Sequence, residues 1–114
     1  MITYVTELNS ENYDEKIKSS EIVIVDIWAP WCSPCRTLSP IIDQVAAELG
    51  SKCLVGKLDA DQNGDLCQSL EVRNIPTLLF YKNGELKERT VGMKTKRDIM
   101  NIVENLSHNT EATF

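Results

Sequence analysis

The sequence predicts a single α/β domain built on a mixed β-sheet with helices over both faces. Three observations carry that reading. Extended and helical hydropathy patterns alternate along the chain, the segment before the first cysteine is apolar on both faces, and the last two strand patterns are joined by Asn83-Gly84. The 114 residues have the usual size of one domain, and no linker, charge block or internal repeat divides them. The domain is expected over residues 1–107, with 108–114 as a polar C-terminal tail that frays.

The elements follow in order. A first strand is expected from Ile2 to Thr6. Asn9 or Ser10 then offers an N-cap for a short helix reaching about Lys18, with Tyr13 and Ile17 on its buried face. Glu21 to Trp28 is apolar apart from Asp26, the pattern of a strand covered on both sides. Leu38, Ile42, Val45 and Leu49 recur at helical spacing and Gly50 is a C-terminal stop, so a long helix begins at Cys32 and Cys35. Pro40 lies inside it and is expected to kink it, because one backbone hydrogen bond is lost.

Cys53 to Leu58 reads as another buried strand and Asp65 to Leu70 as a short helix. Thr77 to Tyr81, the Asn83-Gly84 turn and Lys87 to Val91 form a hairpin, since Asn-Gly readily supplies the positive φ angles of a tight turn. Thr95 and Asp98 make a capping box for a last helix whose buried stripe is Ile99, Ile102, Val103 and Leu106. The order β-α-β-α-β-α-β-β-α gives parallel pairing early and an antiparallel hairpin late.

Composition narrows function by exclusion. A net charge of −5 leaves no basic stripe to neutralise phosphates, which argues against nucleic-acid and anionic-membrane partners. The first residues carry neither a basic segment nor a long apolar run, and Ile22-Val23-Ile24-Val25 falls far short of the roughly 18 apolar residues of a membrane span. The chain is therefore expected in the cytoplasm. Of the four cysteines, only Cys32 and Cys35 form a close pair, and the single histidine, His108, lies in the polar tail; this spacing disfavours both a zinc site and a purely structural disulfide framework.

Disulfide exchange needs a thiolate to attack a partner's disulfide and a second thiol to release the mixed disulfide. Two cysteines separated by Ser33 and Pro34 at the opening of a helix meet both needs. The first lies beside unpaired backbone N–H groups and the positive end of the helix dipole, which favour its anion. Cys32 is thus the expected nucleophile and Cys35 the resolving thiol. Pro34, early in the helix, stiffens the loop at little cost, and Trp31 shelters one side.

Asp26 is either a buried proton acceptor for Cys35, its pKa raised by desolvation, or a carboxylate already emerging at the strand end. Lys57 either pairs with Asp26 or reaches solvent, and spacing alone favours solvent. Pro76, in Ile75-Pro76-Thr77, can take either peptide isomer. Cys53 reads as inert packing. Cys67, on a short helix expected near the surface, is a candidate for a secondary redox role.

From about Ile2 to Leu106 the chain resembles the thioredoxin family. The motifs are Val25-Asp26-Ile27-Trp28-Ala29-Pro30-Trp31-Cys32-Ser33-Pro34-Cys35-Arg36, Lys57-Leu58-Asp59-Ala60-Asp61, Ile75-Pro76-Thr77 and Val91-Gly92. The resemblance implies a thioredoxin fold: a five-stranded sheet in the order 1-3-2-4-5 flanked by four helices. It implies Asp26 as the buried proton acceptor, Lys57 as its partner, a cis bond before Pro76, and a flat apolar surface of Trp31, Ile75, Pro76 and Gly92 that pairs with an extended substrate segment. It further implies a monomer that binds no cofactor, reduces disulfide-containing target proteins, and regains its electrons from NADPH through a thioredoxin reductase.

Two departures stand out. Ser33 replaces the family's usual glycine and places a hydroxyl near the sulfurs, which is expected to shift the reduction potential modestly. Arg36 replaces the commoner lysine and keeps the charge. Two other activities compete with a reductase: a disulfide oxidase or isomerase, which usually carries a histidine between the cysteines, and a redox-independent binding subunit using the same surface.

Overall fold

The computed structural model describes residues 4–108. Its elements are β1 (Val5–Leu8), α1 (Tyr13–Lys16), β2 (Ile22–Trp28), α2 (Ser33–Leu49), β3 (Cys53–Asp59), α3 (Gly64–Ser69), β4 (Thr77–Lys82), β5 (Glu85–Val91) and α4 (Lys96–His108). A five-stranded sheet has the order β1-β3-β2-β4-β5. β1, β3 and β2 run parallel, and β4 and β5 add antiparallel. This is the expected topology.

Alternation along β2 sorts the core into two halves. Ile22 and Ile24 pack with Leu38, Ile42 and Val45 of α2 and Ile99 and Val103 of α4. Val23, Val25 and Ile27 face Tyr13, Ile17 and Cys67 on the α1 and α3 side. Each fully buried Leu or Ile contributes about 1.5–3 kcal/mol, so β2, buried on both faces, anchors the fold. On the second side the hydroxyls of Tyr13 and Tyr81 meet at 2.6 Å with their rings edge to face, and each satisfies the other's buried polar atom.

Several boundaries differ from expectation. The first strand runs on to Leu8, whose side chain closes over Gly56 of β3; the expected start at Ile2 lies outside the described residues. α1 is only four residues long, because Asn9 Oδ1 accepts from the amides of Glu11 and Asn12 and holds that stretch in a turn. α2 has the expected bounds, running from Ser33 through Pro40 to Leu49 with Gly50 as its C-cap.

The hairpin turns at Asn83 and Gly84, both with positive φ, and carries a bulge where Phe80 pairs with Glu88 but Tyr81 with Leu86. Thr95 and Asp98 form the reciprocal capping box. α4 extends through His108, one residue into the expected tail, and 109–114 lie outside the described residues. Lys82 is buried, and its ammonium donates to the Leu106 carbonyl near the end of α4, 3.8 Å from the Glu21 carboxylate. A cation there meets the negative end of the helix dipole.

Candidate active site

The cysteine pair lies where β2 hands over to α2. Cys32 is the N-cap of α2 in extended conformation, with Ser33, Pro34 and Cys35 opening the first turn. The Cys35 amide donates to Cys32 Sγ at 3.2 Å, so the sulfur takes the position that a capping oxygen usually fills. The two cysteines are joined as a disulfide with their Cα atoms 5.2 Å apart. Both are nearly covered, whereas Ser33, Pro34 and Trp31 are exposed.

The surroundings come from three other parts of the chain. Ile75 packs against the pair, and its carbonyl oxygen lies 3.9 Å from Cys32 Sγ. The Ile75–Pro76 peptide is cis. Gly92 has φ +92° and donates its amide to the Pro76 carbonyl at 2.8 Å, a conformation that side chains rarely adopt. Trp31 is 68% exposed, and its indole N–H lies 3.1 Å from both carboxylate oxygens of Asp61. Arg36 turns back to donate to the Pro30 carbonyl at 2.9 Å, spanning the outside of the loop.

Asp26 is fully buried within β2, so it does not emerge at the strand end. It points to the α2 side of the sheet with Ile22 and Ile24, and neither carboxylate oxygen has a hydrogen-bond partner among the described residues. Burial pushes its carboxyl from the ordinary 3.8 up to about 7; the Lys57 charge acts downward and Asp43 adds a smaller upward push.

Lys57 is the direct cross-strand neighbour of Asp26, but its ammonium donates to Ser39 Oγ at 3.0 Å and lies 4.7 Å from the centre of the Trp28 ring. The two residues are therefore adjacent without a hydrogen-bonded ion pair. Cys35, Ser39, Asp43, Trp28 and Lys57 line one open cavity of about 340 Å³ behind the disulfide.

The structure thus gathers Trp31, Cys32, Ser33, Pro34, Cys35, Ile75, Pro76 and Gly92 at one end of the sheet, with Asp26 and Lys57 at β2 and β3 beneath α2. Sequence reasoning missed Met93 and gave Val91 no part in the surface; both are exposed apolar residues that flank Gly92. It also missed the contacts of Ser39 and Asp61. Cys67 was expected near the surface and is buried instead, because α3 turns it onto the sheet with Tyr13 and Leu58. Burial raises the pKa of both Cys53 and Cys67, which removes the exposure argument for a redox role of Cys67.

A disulfide opens when a thiolate attacks one of its sulfurs, and a Cys-x-x-Cys pair at the N-terminus of a helix has the arrangement of a thiol–disulfide exchange domain. The thioredoxin family model matches residues 4–105, and the chain belongs to the thioredoxin family. The thioredoxin of Rickettsia bellii is 40% identical over 105 residues, covering 92% of this chain and 98% of that protein. The chloroplastic M-type thioredoxin of Spinacia oleracea is 40% identical over 101 residues, 88% of this chain but 56% of that longer protein. Among solved structures, a mutant thioredoxin from Halobacterium salinarum is similar with a TM-score of 0.84 at 26% identity, over 96% of this chain and 98% of that one. The chain is a thiol:disulfide oxidoreductase with Cys32 and Cys35 as its redox-active pair. No helix among the described residues is long and apolar enough to cross a membrane.

Proposed function

We propose that this chain works in the reducing direction, as a monomeric dithiol carrier that opens disulfides in target proteins. The observation that carries the reading is the place of Cys32 Sγ at the N-terminus of a 17-residue helix, within reach of a backbone N–H. There the helix dipole and the amide favour a thiolate.

In the reduced chain, the Cys32 thiolate attacks one sulfur of the target disulfide. A bond forms between Cys32 and that sulfur, and the target's other sulfur leaves as a thiolate and takes a proton. The Cys35 thiol then gives its proton to the Asp26 carboxylate and attacks Cys32 Sγ, which releases the second target sulfur. The proton held by Asp26 balances the one this leaving thiolate takes up. The target gains two electrons and two protons, and Cys32 and Cys35 become the disulfide.

Trp31, Ile75, Pro76 and Gly92 form the docking surface, extended by Val91 and Met93, and the Ile75 backbone pairs with an extended target segment. Ser33 and Pro34 shape the loop between the sulfurs, and Lys57 tempers the charge on Asp26. The chain binds no cofactor of its own; NADPH supplies the electrons through a thioredoxin reductase. The cytoplasm suits this reading, because a compartment that keeps thiols reduced also leaves Cys53 and Cys67 free.

NADPH-coupled reduction of a protein disulfide in the presence of a thioredoxin reductase tests the proposal. Turnover is expected with this chain and none with Cys32→Ser. Undiminished turnover in Cys32→Ser would remove the assignment.

A further inference from the structure

Asp26 and Lys57 are register partners on β2 and β3 and share the sheet face that α2 covers. A buried carboxyl and a neighbouring ammonium would ordinarily close into an ion pair. Here they do not: the carboxyl oxygens have no partner among the described residues, while the ammonium is held by Ser39 Oγ at 3.0 Å and sits over the Trp28 ring.

Ser39 occupies a particular place on α2. Cys35, Ser39 and Asp43 follow one another at four-residue spacing and so form one stripe of the helix. All three line the cavity that Lys57 enters. Ser39 is therefore the one neutral hydroxyl between the resolving cysteine and an exposed carboxylate, and it fixes where the positive charge rests.

We propose that Ser39 is a positioning residue for the proton acceptor: its hydroxyl, with the Trp28 ring, holds the Lys57 ammonium beside Asp26 and keeps it from closing onto the carboxyl. The inference rests on Asp26 serving as the proton acceptor. Its consequence is that the carboxyl feels the lysine charge at a distance, enough to limit the cost of burial but not enough to fix the anion. The groups acting on Asp26 are Lys57 from β3 and Asp43 from α2, and its β4 neighbour is the apolar Leu78.

Replacing the hydroxyl frees the ammonium to pair directly, and direct pairing favours the anion. The test is a titration of the Asp26 carboxyl by carbon-13 NMR in the oxidised protein, for wild type, Ser39→Ala and Ser39→Thr. Alanine is a better helix former than serine, so the fold is not put at risk. The carboxyl of Ser39→Ala is expected to titrate about one pH unit lower, as a charge brought into contact would cause. Ser39→Thr, which keeps the hydroxyl, is expected to restore the wild-type midpoint. In a Lys57→Met background the Ser39→Ala change is expected to have no effect.

An unchanged or raised midpoint in Ser39→Ala, or an equal fall in the Lys57→Met background, overturns the proposal. The pH profile of disulfide reduction, measured alongside, separates the two readings. If the carboxyl midpoint moves and the rate profile does not, Ser39 positions Lys57 as argued and Asp26 is not the proton acceptor.

Discussion

Asp26 is an ionisable residue held almost entirely out of water. It is buried in the middle of an apolar strand, and its carboxyl titrates near 7, where a proton can be both held and passed. The same fact has a price in stability. Between pH about 4 and about 7 the unfolded chain releases a proton that the folded chain keeps, so stability falls as pH rises through that window and levels off above it. The fall attributable to this one group is roughly 4 kcal/mol. Asp26→Asn, which cannot ionise, should therefore gain about that much relative to wild type between pH 4 and pH 8. Urea unfolding at the two pH values checks this, and a pH-independent difference would contradict it.

The pairing of Cys32 and Cys35 could be read from the chain, because both open the helix that follows one apolar strand, whereas the pattern of that strand left Asp26 between burial and emergence and only the family resemblance pointed to burial. What the sequence withheld was contact across elements. That Lys57 rests on Ser39 depends on the β2–β3 register and on the rotation of α2, and neither is visible in local periodicity. Asp61 binding the Trp31 indole depends on the same parallel crossover.

At the scale of elements, the parallel trio β1, β3 and β2 shows how a single missing side chain sets an approach. Gly56 pairs with Thr6, and a Cβ built at Gly56 would lie 2.6 Å from Leu8 Cδ1 and 2.7 Å from its Cγ. The Leu8 side chain fills the space that glycine leaves. Gly56→Ala should cost about 1–3 kcal/mol through overpacking, as measured by chemical denaturation, and the loss in the Gly56→Ala, Leu8→Ala double variant should be smaller than the sum of the two single losses. Equal stability of Gly56→Ala and wild type would show that Leu8 can move aside freely. This contact also explains why the first strand extends past its expected end: Leu8 belongs to the core, and Glu7 before it stays exposed. Cys67 was misplaced for a related reason. A six-residue helix has too few positions to declare its buried face, and only the packing of α3 on Tyr13 and Leu58 decides it.

At the scale of the whole molecule, the topology was legible because each strand has a clear pattern and the Asn83-Gly84 turn fixes the final antiparallel pair. The order of strands came from family resemblance, since alternation cannot say which strand lies beside which. The fold brings the start of α2, the turn before β4 and the end of β5 to one end of the sheet, where Cys32 and Cys35 form a nearly covered disulfide at the end of the strand that buries Asp26. Across that end we propose a division of labour in which Cys32 attacks and Cys35 resolves. The most direct measurement is mass spectrometry of reduced Cys35→Ser and Cys32→Ser variants, each mixed with a disulfide-bonded protein substrate. Cys35→Ser should accumulate a covalent mixed disulfide through Cys32, and Cys32→Ser should form little or none. Accumulation through Cys35 in Cys32→Ser, with none in Cys35→Ser, would contradict the account.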